Sequence, residues 1–143
     1  LLPSLDLLIV NDSEMGAIGD EETVRDDRTV VEACVEAARK VLAAGQCEIV
    51  AAHFPTGAIA VTRQGDIVSQ HSIRVPKQAI AGANGAGDAF AAGFLYARSH
   101  GLSLAEATRL GCLAGGECVS HIGPRPAVSL AQLARDSGLK LPA

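Results

Sequence analysis

A chain of 143 residues, 48 % of them hydrophobic, is long enough to bury a core and too apolar to stay disordered. Aromatic residues make up only 3 % and Trp is absent, which argues against binding single-stranded nucleic acid by base stacking. The formal charge is −4 with the basic residues scattered. No footprint for a phosphate backbone is therefore present, although backbone N–H groups can still hold a small anion locally.

In chain order, residues 5–10 form a continuous apolar run, read as a strand buried on both faces of a parallel sheet. Asn11 ends it, and residues 13–18 read as a short helix. The acidic stretch 20–27 lacks a calcium-loop pattern and reads as a solvated loop. Thr29-Val30-Val31-Glu32 has the form of a capping box and opens a helix with Val31, Val35, Ala38 and Leu42 on its apolar face and Gly45 as its stop. Residues 47–52 read as a second buried strand. Residues 58–62 and 67–69 flank the turn Arg63-Gln64-Gly65-Asp66 and predict a hairpin. Ile73 and Val75 alternate with polar neighbours and extend a strand to Pro76; a glycine-rich turn and a helix to about His100 follow. Ser103-Leu104-Ala105-Glu106 is another capping box, opening a helix to about Ser120, and Ser129 opens a last short helix ending near Gly138. This order suits a layered α/β domain with helices packed on a mostly parallel sheet.

Cys34, Cys47, Cys112 and Cys118 show no C-x-x-C spacing and lie in apolar stretches. They read as buried, reduced thiols, which fits a cytoplasmic compartment. There is no basic leader and no apolar run long enough to span a bilayer, so no membrane partner is expected. The chain opens on Leu1 and enters a core-like strand at once, which suggests a fragment whose preceding part lies upstream.

Chemistry concentrates in Gly85-Ala86-Gly87-Asp88-Ala89-Phe90. A glycine-rich turn running into a helix of small residues offers free N–H groups to an anion. Gly85 and Gly87 permit positive φ and close approach of a ligand. Asp88 stands beside those donors, placed to take a proton, so the stretch has both parts needed for phosphoryl transfer to an alcohol. Read alone, Asp88 also fits a plain helix-start residue. Asn11-Asp12-Ser13-Glu14 follows the first strand, where sites of α/β folds cluster. Asn11 and Glu14 suit a hydrated Mg²⁺; Asn-x-x-Glu is equally a helix cap, and the two roles are compatible. Gly115 and Gly116 lie inside a helix at a cost of about 1 kcal/mol each, so something approaches the backbone: a nucleotide base, or the neighbouring helix with its small Ala89, Ala92 and Gly93. No P-loop sequence is present, and His53, His71, His100 and His121 have no metal spacing.

Asn11-Asp12-Ser13-Glu14, the hairpin near residues 57–69, and the run Ala83-Asn84-Gly85-Ala86-Gly87-Asp88-Ala89-Phe90-Ala91-Ala92-Gly93-Phe94 occur in the order seen in ribokinase-like (PfkB) carbohydrate kinases. The resemblance runs from the first strand to about Gly123. It implies a three-layer α/β/α fold of which residues 1–143 are the carboxy-terminal, nucleotide-binding and catalytic portion. It implies ATP- and Mg²⁺-dependent phosphorylation of a sugar hydroxyl. Asp88 becomes the catalytic base, and Gly85, Ala86 and Gly87 the anion hole. Asn11 and Glu14 organise Mg²⁺ largely through water, and Gly57, Asn84, Cys112, Gly115 and Gly116 lie on the nucleotide side.

The chain departs from this family in three places. Gly82 and Ala83 stand where the family usually has Asp-Thr, which puts activation by a monovalent cation in doubt. Ala52-His53-Phe54 stands in place of Thr-x-Gly, so one usual nucleotide contact is missing or replaced. The family's amino-terminal sugar-binding region and lid, through which its dimers often form, are outside these residues; a homodimer is expected only of a full-length protein. Two alternatives stay open: a non-catalytic or truncated nucleotide-binding module of the same fold, and a kinase for another alcohol such as a nucleoside.

Overall fold

Strand β1 (Leu7–Asn11) leads directly into helix α1 (Asp12–Gly19), which Asp20 closes in the left-handed conformation. Then come two short strands, β2 (Val24–Arg25) and β3 (Arg28–Thr29), helix α2 (Val31–Ala44), and strands β4 (Ile49–Phe54), β5 (Gly57–Thr62) and β6 (Ile67–His71). The computed structural model describes residues 2–121 and 127–142. Its chain divides into two units, Leu1–Ser69 and Gln70–Ala143.

In the first unit, four strands form one sheet in the order β1-β4-β5-β6. β1 and β4 are parallel, with Ile9 opposite Ala51, because α2 carries the chain back across the sheet. β4 and β5 are antiparallel, with Ala51 opposite Ala60, because only Pro55 and Thr56 separate them. The sheet is therefore mixed, and the parallel pairing expected of it is present in part, between β1 and β4. β1 is also half-buried along its whole length rather than enclosed on both faces, since it stands at the end of the strand order. The core joins Met15 of α1, the α2 face Cys34, Ala37, Ala38, Val41 and Leu42, and Val50, Ala52, Ile59 and Val61 of the sheet. Val31 and Val35 only flank this core; the buried stripe of α2 is turned from the one read in the sequence.

Residues 20–27 are not simply a loop. β2 and β3 pair as an antiparallel ribbon around Asp26 and Asp27, whose φ values of 49° and 57° place both in the left-handed region. Two such residues in succession give a tight turn whose twist suits a hairpin. Thr29 does not cap α2: Val30 holds the cap position and supplies no side-chain bond.

In the second unit, Ile73 and Val75 form no strand; a single 3₁₀ turn, Lys77–Ala79, follows them. Helices α3 (Ala86–Ser99), α4 (Leu104–Val119) and α5 (Leu130–Asp136) build the rest. α3 and α4 touch through glycines. A Cβ on Gly93 would lie 2.7 Å from the Leu110 carbonyl oxygen, and one on Gly111 would lie 2.8 Å from the Phe90 ring. Phe90, Phe94, Ala97, Leu110 and Ala114 are buried.

The sequence-read cap of α4 is complete. Ser103 N–H donates to Glu106 Oε2 (2.8 Å) and Glu106 N–H donates to Ser103 Oγ (3.2 Å). The bond from the Ser103 backbone, and secondly the one with its side chain, hold the Glu106 carboxyl below its usual range. A depressed folded-state value stabilises above the unfolded-state value, and that contribution is lost as pH falls through the folded one. Melting temperature against pH should therefore separate wild type from Glu106→Gln at neutral pH, with the two curves converging below the ordinary glutamate range. Ser103→Ala should lower stability by about 1 kcal/mol at neutral pH.

Candidate active site

The turn before α3 is set by Gly85, whose φ of 85° is left-handed, and which occupies the cap position without a side chain to cap the helix. Its carbonyl accepts the Ala89 N–H at 2.9 Å, the first bond of the helix. The Ala86 N–H donates to the Ala83 carbonyl at 3.3 Å. The N–H groups of Gly87 and Asp88 have no acceptor among the described residues. The free donors are thus at Gly87 and Asp88, while the Ala86 N–H is taken by the Ala83 carbonyl. Gly87 itself is helical, so only Gly85 needs positive φ. Asp88 lies in the first helical turn with its side chain exposed.

α4 supports this turn from below. The Cys118 thiol donates to the Asn84 carbonyl at 3.8 Å, and a Cβ on Gly85 would lie 3.7 Å from the same sulfur. A Cβ on Gly115 would come within 3.3 Å of the Ala86 carbonyl oxygen, so this glycine lets α4 approach the start of α3. Gly116 faces something the sequence did not suggest, the Ile73 side chain, whose Cδ1 is 3.3 Å from where a Cβ would stand. Cys112 is buried in α4, and burial pushes its thiol up to about 12. All four cysteines are free and buried, as read.

Asn11, Glu14 and Gly57 belong to the first unit. Asn11 ends β1 opposite His53, which in turn faces Ala58, so Asn11 and Gly57 share one end of the sheet. Asn11 and Glu14 form a reciprocal cap: Glu14 N–H donates to Asn11 Oδ1 at 2.8 Å, and Asn11 N–H donates to Glu14 Oε2 at 2.9 Å. Glu14 Oε1 has no partner among the described residues, and no group of three or more metal-ligating His, Cys, Asp or Glu side chains occurs among them. One open carboxylate oxygen beside an engaged amide fits a hydrated Mg²⁺, which keeps several waters, better than a cage of protein ligands.

Asp12, between the capping residues, was given no role by the sequence reading. Its Oδ1 accepts the Ser13 N–H at 2.9 Å, its Oδ2 accepts the Thr29 hydroxyl at 2.6 Å, and its carbonyl accepts the Thr23 hydroxyl at 2.6 Å. Only the pair of threonines flanking the ribbon hinted at this in the sequence. An open cleft lined by Tyr96, His100, Arg135 and Lys140 lies at the far end of α3 and includes none of the sequence-read site residues. No helix among the described residues is long and apolar enough to cross a membrane.

At the start of α3 the open N–H groups of Gly87 and Asp88 stand beside an exposed carboxylate, and known proteins share the fold that carries them. The family model described as pfkB family carbohydrate kinase matches residues 1–130. Adenosine kinase from Dictyostelium discoideum is 30 % identical over 123 residues, 86 % of this chain and 36 % of that protein. Among solved structures, a probable sugar kinase protein from Rhizobium etli CFN 42 superposes with a TM-score of 0.79 at 32 % identity, over 98 % of this chain and 39 % of that one. The adenosine kinase from Sinorhizobium meliloti gives 0.76 at 31 % identity, over 96 % and 38 %. The chain thus spans well under half the length of these relatives, and within that span it has their ribokinase-like α/β fold. Sequence match and superposition agree along nearly all of its residues: the chain belongs to the pfkB family of carbohydrate kinases.

Proposed function

We propose that this chain is the carboxy-terminal, nucleotide-binding and catalytic portion of an ATP- and Mg²⁺-dependent kinase that phosphorylates a hydroxyl of a sugar or of a nucleoside's ribose. The observation that carries the reading is the start of α3, where the open N–H groups of Gly87 and Asp88 stand beside the exposed Asp88 side chain. The acceptor hydroxyl gives its proton to Asp88 Oδ, and its oxygen attacks the γ-phosphate in line while the bond to the leaving ADP oxygen breaks. The Gly85-led turn, with the N–H groups of Gly87 and Asp88, takes up the charge on the transferring group. Mg²⁺ would neutralise charge on the phosphate oxygens, and Glu14 and Asn11 would hold it through water. Asn84, Cys112, Gly115 and Gly116 of the second unit, and Gly57 of the first, are assigned to nucleotide binding. With Gly82 and Ala83 before the turn, the carboxylate that commonly helps this family bind a monovalent cation is missing. The reading places the protein in the cytoplasm, without a nucleic-acid or membrane partner, and leaves any homodimer to the full-length protein.

A nucleoside acceptor is supported by the relatives named adenosine kinase, and a simple sugar by the Rhizobium etli protein's name. The test is to titrate ATP into the full-length protein with and without Mg²⁺, then follow ADP release across a panel of sugars and nucleosides. Tighter ATP binding with Mg²⁺, and ADP release with one acceptor class, is the expected result. Tight ATP binding without turnover on any acceptor would replace the kinase by a non-catalytic nucleotide-binding module.

A further inference from the structure

The proposal concerns the one carboxylate beside Asn11 and Glu14 that the phosphoryl-transfer reading leaves unused. Asp12 is half-buried at the first position of α1. Both of its carboxylate oxygens are engaged, Oδ1 by the Ser13 N–H and Oδ2 by the Thr29 hydroxyl, and its backbone carbonyl takes the buried Thr23 hydroxyl. Unlike Glu14, whose Oε1 is open, it has a protein donor on each carboxylate oxygen. Thr23 immediately precedes β2 and Thr29 ends β3, and Val30 N–H donates to the Thr23 carbonyl at 2.8 Å, closing the ribbon's base. The ribbon is thereby bolted to the helix turn on which Asn11 and Glu14 stand.

That turn is seated by the pairing of Asn11 with His53 and by the buried Met15, and its reciprocal cap ties the exposed Glu14 to Asn11. Thr23 also packs over Gly16 so closely that a Cβ there would overlap its hydroxyl. The ribbon thus has one further contact with the same helix. Side chains that orient those facing a metal typically change metal affinity by about 10–100-fold when removed.

We infer that Asp12 and Thr29 are positioning residues, which lock the first turn of α1 so that Asn11 and Glu14 present a fixed face to hydrated Mg²⁺. The inference rests on the reading of Asn11 and Glu14 as Mg²⁺ organisers. It requires the Thr29 hydroxyl, and it gives the ribbon a part in the nucleotide site without touching nucleotide.

The test measures ATP affinity against Mg²⁺ concentration by calorimetry, with melting temperature alongside, in full-length Thr29→Val, Thr29→Ser, Asp12→Asn and Glu14→Gln. Thr29→Val keeps the shape and removes the O–H. It should raise the Mg²⁺ needed for half-maximal tightening of ATP by about ten-fold, with ATP affinity in the absence of metal unchanged. Thr29→Ser should restore the wild-type response. Asp12→Asn, which keeps one acceptor oxygen, should fall between, and it decides the matter if Thr29→Val does not fold. A Thr29→Val protein that melts lower but keeps the wild-type Mg²⁺ response, while Glu14→Gln shifts it, would overturn the positioning role alone. If Glu14→Gln leaves the response unchanged too, the Mg²⁺ reading falls and this inference with it.

Discussion

Asp88→Asn in the full-length protein is expected to lower kcat by about 10²–10⁴-fold, the usual contribution of a positioned general base, while ATP affinity stays within about two-fold. The substitution is nearly isosteric and sits in the first turn of α3, where the side chain is exposed, so helix and turn should persist. The Gly87 and Asp88 N–H groups belong to the backbone and survive the change. What is lost is the carboxylate that accepts the proton of the attacking hydroxyl. A coupled assay of ADP release with the preferred acceptor, beside calorimetric ATP binding, separates the two effects. Turnover close to wild type would remove Asp88 from the role of base; loss of ATP binding would mean that its charge serves the nucleotide instead.

The parts of the fold that could be read in the sequence are those written locally. Ser103 and Glu106 announce the start of α4, and Ser129 that of α5, because a cap is a bond between residues a few positions apart. The β5–β6 hairpin was legible for the same reason, in the turn around Gly65, whose φ is 100°. The β4–β5 hairpin was not, since Pro55-Thr56 carries none of the glycine or asparagine signals of a tight turn. The ribbon was hidden because two aspartates supply its left-handed residues, and its threonines bond across 11 and 17 positions to Asp12.

The site divides in the same way. Gly85 and the small residues after it marked the turn, and Asn-x-x-Glu marked the cap at the end of β1. That the Ala86 N–H is engaged was not legible, because it depends on the Ala83 carbonyl folding back to Ala86. Nor could spacing decide between partners for Gly115 and Gly116. Gly115 meets the neighbouring helix start, while Gly116 meets Ile73, a residue that alternation had assigned to a strand. Ile73 stays exposed and Val75 only half-buried, so the alternation around them marks no strand face.

Gly93→Ala should destabilise the protein by about 1–3 kcal/mol, although alanine is the better helix former by about 1 kcal/mol. The two effects oppose each other, and geometry decides which wins. A Cβ at Gly93 would stand 2.7 Å from the Leu110 carbonyl oxygen, 3.0 Å from the Ala114 Cβ and 3.1 Å from the Gly111 Cα. The nearest atom is backbone inside a helix, so no side-chain rotation can relieve the overlap, and α3 and α4 must move apart along a seam built on Phe90, Phe94 and Leu110. Gly93→Val should cost more again, while Ala92→Ser, on the exposed side of the same helix, should stay within about 0.5 kcal/mol. Denaturant melts of the three variants give the ranking. The effect should also reach the site, because the Gly115 contact with the Ala86 carbonyl seats the start of α3 on α4. Parting the helices loosens the turn that carries the Gly87 and Asp88 N–H groups, so the folded Gly93→Ala protein should bind ATP more weakly. A rise in stability would mean that the helices do not meet this closely, and the support assigned to the turn would go with them.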